Sequence, residues 1–229
     1  MQRSDHSQSD GSAPGASAWP GERGEARGGS DLGASVPDVA GDPRCIGFDI
    51  ETDTSIDGLD PSVAAVVSVA LVGEGFEIVI DEPDEANLLR SLDATLATLP
   101  DAVLATWNGA GFDLPFLAHR AAWLGVELGL ALDPSDAVTR WYGHQHLDGY
   151  RLYRADVGRT VDVSCGLKSI GRLVGMAPIE VDRERIHELT ESELRSYVLS
   201  DADVTRRLVL RRWSTARRRL DHSVRQGVS

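Results

Sequence analysis

The 229-residue chain predicts an α/β domain in which helices cover a mixed sheet. Three observations carry that expectation: three short β-branched runs in succession, helical segments alternating with a further strand, and a long capped helix near the end. The runs are CIGFDIET, VAAVVSVALV and FEIVI, separated by Gly, Asp and Pro. EANLLRSLDATLATL then spaces its leucines as a helix does and stops at Pro100, after which AVLATW reads as a buried strand. The loop NGAGFD leads into LPFLAHRAAWLG, a helix that tolerates Pro115 in its first turn. Between Val126 and Asp162 the pattern is weak, with a strand near WYGHQHL and a short helix near Tyr150. GLKSIGRLVG predicts a helix closed by Gly175. Thr190 and Glu193 form a capping box that opens the helix TESELRSYVLSDADVTRRLVLRRW.

With 41% hydrophobic residues the chain can bury one core. Residues 1–40 are Gly, Ser, Ala, Pro and Asp without apolar periodicity, so they cannot offset their ordering entropy and are expected to form a disordered leader. No apolar run approaches the roughly 20 residues that span a bilayer. The start MQRSDHSQSD lacks the regions of a secretory signal, so a cytoplasmic protein without membrane association is expected. Cys45 and Cys165 form no C-x-x-C pair and support neither a disulfide framework nor a cysteine-rich zinc site.

The net charge of −13 argues against a general affinity for polyanions. Its distribution is uneven: 6 acidic and 3 basic side chains in 1–40, 27 and 12 in 41–200, 3 and 8 in 201–229. An acidic body with a basic end suits a protein that holds cations with carboxylates and meets phosphate through them; it also suits an ordinary acidic protein with a solvated helix.

Asp49 and Glu51 stand two apart on the first strand, so their carboxylates leave one face of the sheet. Amid apolar neighbours such a pair repels and is desolvated unless a cation compensates. Taken alone, D-x-E is more often a solvated strand end. Asp113 opens a helix, where an N-cap role is the default. Tyr197 and Asp201 are four apart on the capped helix and share a face with Leu194, Val198, Val204 and Leu208. A Tyr–Asp hydrogen bond that merely fixes the helix is the alternative there.

Together FDIET, NGAGFD and YVLSD resemble the three exonuclease motifs of the DEDD superfamily, in the branch with a tyrosine in the third motif. WNGAGFDLPFL followed by YVLSDADVTRRL is similar to the proofreading exonuclease domains of family B DNA polymerases and their stand-alone bacterial relatives, and the resemblance covers about residues 44 to 210. It implies a ribonuclease H-like fold, an exonuclease domain over 41–213 and a basic C-terminal tail over 214–229. It also implies 3′ to 5′ hydrolysis of single-stranded nucleic acid, with DNA expected, and any polymerase or repair partner would be a separate chain.

On this resemblance Asp49, Glu51, Asp113 and Asp201 match the four acidic ligands of two Mg²⁺ or Mn²⁺ ions, and Tyr197 matches the residue that orients the nucleophilic water. Asn108 and Phe112 match second-motif residues that lie near the substrate's 3′ end. The sibling branch carries H-x-x-x-x-D in its third motif, and no histidine here stands five residues before an Asp in that region. Hard carboxylate oxygens suit such ions, which about 4 Å apart activate water and stabilise a departing 3′ oxygen.

One rival reading is a zinc hydrolase. His144, His146 and Asp148 spell H-x-H-x-D, as in metallo-β-lactamase-like enzymes. The adjacent histidine of that motif is missing, since position 149 is Gly149, and downstream only His187 and His222 remain. A structural strand end, with Asp148 capping the next helix, is the simpler expectation. A second rival is a nucleic-acid-binding module of the same fold without catalysis, against which the five intact polar residues argue. Lys168, the only lysine, is expected to snorkel from its helix, and Arg206, Arg207, Arg211 and Arg212 to form a solvated face rather than a strand guide.

Overall fold

The computed structural model describes residues 44–133, 139–155, 157–160 and 164–226. The expected leader lies outside them. Strands β1 (Cys45–Thr52), β2 (Val66–Gly73), β3 (Phe76–Ile80), β4 (Val103–Thr106), β5 (Leu130–Ala131), β6 (Arg140–Trp141) and β7 (His144–Asp148) form one sheet in the order β3-β2-β1-β4-β7-β6-β5. β4 runs parallel to β1 and β7, and the other pairings are antiparallel. The meander β1-β2-β3 needs no crossover, and Gly75 at φ 75° makes the tight turn between β2 and β3. The parallel strands need crossovers, which bring in α1 (Glu85–Thr98) and α2 (Asp113–Leu124).

Period-two alternation divides β1 between two cores. Ile46, Phe48 and Ile50 face a core with Leu88, Leu89, Leu92 and Leu96 of α1 and Leu114 and Leu117 of α2. Cys45 faces the opposite side, in a second core with Val204, Leu208 and Val209 of α6 (Glu191–Arg211) and Leu167 and Ile170 of α5 (Leu167–Leu173). Asp49 and Glu51 share the parity of Cys45, so the sheet presents them toward α6. The short helices α3 (Gly149–Arg154) and α4 (Val157–Thr160) follow β7.

Gly47 lies between Cys45 and Asp49 on that face, and α6 presses against it: a Cβ there would stand 2.0 Å from the carbonyl oxygen of Ala202. The missing side chain thus sets how closely the helix bearing Asp201 approaches the strand bearing Asp49 and Glu51.

The expected capping box is present, with Thr190 and Glu193 each satisfying the other's backbone N–H. Gly175 follows α5 in a left-handed conformation, as read from sequence. In the weakly patterned stretch, β6 and β7 form a hairpin and α3 begins at Gly149. Residues after α6 form helix α7 (Trp213–Gln226), whose Ala216 is buried in the second core. No described helix is long and apolar enough to cross a membrane. Both cysteines are free, Cys45 buried and Cys165 partly so.

Candidate active site

β1 supplies Asp49 and Glu51, and the middle of α6 supplies Asp201. One carboxylate oxygen of each lies within 4.8 Å of the others, the only such acidic, histidine or cysteine group among the described residues. The structure therefore decides against a solvated strand end: Glu51 and Asp201 are buried, and burial is the main cause raising all three carboxyl groups. Glu51 is pushed up to about 8, by burial first and then by Asp201. Asp49 is held well above the carboxylate range by burial, then by Asp201, Glu51 and Asp113.

Asp113 stands outside this tight trio but is felt by Asp49 and Glu51 through its charge. It is not the N-cap that its position suggested. Phe112 precedes the helix without a side-chain cap hydrogen bond, and Asp113 is the first helical residue. Its carboxyl group is buried, and burial together with repulsion from Asp148 pushes it up to about 7.

The loop before it is a wound turn. Asn108 adopts φ 70°, its carbonyl accepts from the Gly111 and Phe112 amides, and its own N–H donates to Asp148 Oδ1 at 2.9 Å. Asp148 Oδ1 also accepts from the Tyr150 amide at 2.9 Å, which makes it the expected cap of α3 and, in addition, a tie for the Asn108 loop. The Asn108 side chain is exposed, whereas Phe112 is half-buried against Phe116 at 5.3 Å between ring centroids.

Tyr197 is buried, within charge range of Asp201, Glu51 and Arg183. Burial, then the charges of Asp201 and Glu51, raise the phenol further, so it stays neutral at any physiological pH. Lys168 does not snorkel. Its ammonium pairs with Asp201 Oδ1 and sits 4.4 Å from the Tyr197 ring centroid. Lys168 and Arg183 are site cations that sequence reasoning missed. Lys168 carried one signal, being the sole lysine of the chain, and Arg183 carried none.

The zinc-hydrolase reading fails on geometry. His144 Nδ1 accepts from the Ala102 amide at 3.2 Å and Nε2 donates to the Leu96 carbonyl at 2.9 Å, so neither nitrogen is left for a metal. His146 Nε2 meets the Thr106 hydroxyl at 2.8 Å. Nor do the four arginines of α6 and its end form one solvated face. Arg206 donates to the Cys45 carbonyl at 3.0 Å, and Arg212 donates to that of Leu152 at 3.1 Å and lies 5.0 Å over the Tyr153 ring. Arg207 pairs with Asp203 at 3.4 Å, and Arg211 is exposed.

Known proteins share this architecture. The catalytic subunit of DNA polymerase epsilon from Schizosaccharomyces pombe is 33% identical over 140 residues, 58% of this chain and 6% of that protein. Its counterpart from Kluyveromyces lactis is 28% identical over 206 residues, covering 72% of this chain and 9% of the relative. The chain thus spans less than a tenth of the length of these relatives. The structure of the family B DNA polymerase from the hyperthermophilic archaeon Pyrobaculum calidifontis superposes with a TM-score of 0.61 at 23% identity, covering 74% of this chain and 24% of that one, a likeness of fold. These matches bear out the expected ribonuclease H-like fold and the resemblance to family B DNA polymerases. The RNase_H superfamily model matches residues 46–186, more than half of the chain, and the protein belongs to that superfamily.

Proposed function

We propose that this protein is a metal-dependent 3′ to 5′ exonuclease of the tyrosine branch, acting on single-stranded DNA ends through a catalytic unit within 41–213. The observation that carries the reading is the convergence of Asp49, Glu51 and Asp201, from the first described strand and a late helix, with Asp113 within charge range. Burial and mutual repulsion raise these carboxyl groups, and cations entering among them would relieve both. Their donor atoms are all hard oxygens, which fit Mg²⁺ or Mn²⁺. Asp49, Glu51, Asp113 and Asp201 would hold the ions.

Two divalent ions there would acidify a bound water and stabilise the departing 3′ oxygen. The rest of the work falls to the protein. Tyr197, neutral and buried with Lys168 over its ring, orients the water without taking its proton. Lys168 balances part of the carboxylate charge, and Asn108 and Phe112 border the 3′ end. The relatives are DNA polymerases, which favours DNA as substrate and association with a polymerase. The direct test follows 5′-labelled single-stranded DNA and RNA with Mg²⁺, Mn²⁺ or chelator. Stepwise shortening from the 3′ end of DNA only when a divalent ion is present is the expected result, and intact substrate in every lane rejects the assignment.

Tyr197→Phe keeps the ring under Lys168 and removes one hydroxyl, so folding and metal binding persist while the single-turnover rate falls on the order of 10- to 100-fold. An unchanged rate makes the tyrosine structural. Stability supplies a second check. Glu51 rises from 4.5 to about 8 on folding, so its contribution is fully present below about pH 4.5 and is lost as the pH rises through about 8. In chelator the melting temperature is therefore expected to fall across that window. Glu51→Gln should flatten the fall, and Mn²⁺ should raise the melting temperature most at the alkaline end. A fall of equal slope in Glu51→Gln assigns it to other groups.

A further inference from the structure

We propose that Asp148 is a positioning residue for Asp113, holding the loop 108–112 in the one shape that delivers that carboxylate to the site. β4 and β7 lie side by side in parallel with Thr106 opposite Asp148, and the loop leaves directly from the end of β4. Each of these paired residues lends its side chain to a loop amide. Asp148 Oδ1 accepts from Asn108 at 2.9 Å, and Thr106 Oγ1 accepts from Gly109 at 3.1 Å. The winding then continues into α2: the Asn108 carbonyl accepts from Gly111 and Phe112, and the Gly109 carbonyl accepts at 3.0 Å from Leu114, the residue after Asp113.

The grip matters because the loop opens on an unfavourable backbone. Asn108 has φ 70°, a left-handed conformation that residues other than glycine enter at a cost and keep where their surroundings fix it. Asp148 is itself fixed. It is 4% exposed, its Oδ1 also accepts from the Tyr150 amide at 2.9 Å, and its Oδ2 lies 3.6 Å from Arg151 Nε, so α3 holds the carboxylate that holds the loop. Thr106 is fully buried, and its hydroxyl oxygen lies 2.8 Å from His146 Nε2. The charge of Asp148 is not what the site uses. Asp148 stands outside the carboxylate trio, and its charge raises Asp113 rather than helping it to ionise. What it supplies is an acceptor oxygen at a set place, which the backbone amides of loop and helix share.

The inference rests on the exonuclease reading and is tested on full-length protein with Asp148→Ala and Asp148→Asn, the second keeping an acceptor oxygen without the charge. Asp148→Ala is expected to slow single turnover of labelled single-stranded DNA at saturating Mg²⁺ on the order of 10- to 100-fold with KM unchanged, because Asp113 is displaced. Mn²⁺ binding measured by calorimetry should weaken on the order of 10-fold in the same variant. In chelator, amide hydrogen exchange across 107–113 should quicken. Asp148→Asn should recover most of the rate, the Mn²⁺ affinity and the protection. Thr106→Val removes the second bond to the loop and serves if the alanine variant does not fold, with Thr106→Ser as its rescue.

An Asp148→Asn variant as slow as Asp148→Ala would mean that the charge is used and would overturn the proposal. A raised KM at unchanged kcat would make the loop a strand-binding element and overturn it as well. So would a folded alanine variant with wild-type rate, Mn²⁺ affinity and exchange. A wild-type protein that binds Mn²⁺ yet shortens no strand removes the exonuclease reading and this inference with it, whereas an active wild type with any of those three results removes the inference alone.

Discussion

Asp201→Asn is expected to yield a folded protein whose turnover falls by at least about a thousandfold, the loss of several kcal/mol of transition-state stabilisation. The amide keeps the shape of the side chain and its place on α6, but it removes the charge that would join helix and strand around a cation. Folding should not suffer. In the absence of metal the Asp201 charge raises both Asp49 and Glu51, so its removal relieves repulsion, and Lys168 still faces those two groups. The melting temperature in chelator should therefore stay level or rise while single-turnover cleavage disappears. That pairing of results separates chemistry from structure. Wild-type cleavage by a folded Asp201→Asn variant would show that the trio is not the metal site.

Gly47→Ala is expected to damage stability and rate together. In a strand, alanine ordinarily improves on glycine because it restricts the unfolded chain. Here the added Cβ would meet the Ala202 carbonyl oxygen at 2.0 Å and Arg206 Cβ at 2.8 Å. A helix carbonyl cannot rotate away, so α6 has to retreat on the order of 1 Å. Overpacking of this kind costs about 3 kcal/mol, readable by urea denaturation. Because Asp201 precedes Ala202, the same retreat displaces a site carboxylate, and a shift of that size costs about 100-fold in rate. A Gly47→Ala protein with wild-type midpoint and wild-type rate would show that the strand, not the helix, yields.

The site's outline was legible because its acidic members sit in elements with strong local signatures. Alternation in CIGFDIET placed Asp49 and Glu51 on one face, and the Thr190–Glu193 capping box fixed the helix that carries Tyr197 and Asp201. What escaped depends on contacts between distant segments. Lys168 looked like any helix lysine until α5 was packed beside α6, and Arg183 lies in a turn with no pattern of its own. Gly47 reads as an interruption of an apolar strand, and only the approach of α6 gives it a purpose. The Asp113 cap was misjudged because the residue entering the helix is Phe112, whose side chain cannot cap. His144 and His146 had ligand spacing, but the middle of a sheet offers hydrogen-bond partners on both sides, and these were taken first.

The two halves of the carboxylate trio come from opposite ends of the described domain, Asp49 and Glu51 on its first strand and Asp201 on a late helix. A ribosome delivers the strand pair long before the helix, and the nascent domain cannot close so long a loop until α6 has emerged. On the proposed nuclease reading that order of assembly is protective. An incomplete chain would carry a D-x-E strand with nothing to complete the proposed site, so any hydrolytic capacity would arrive only with the fold itself.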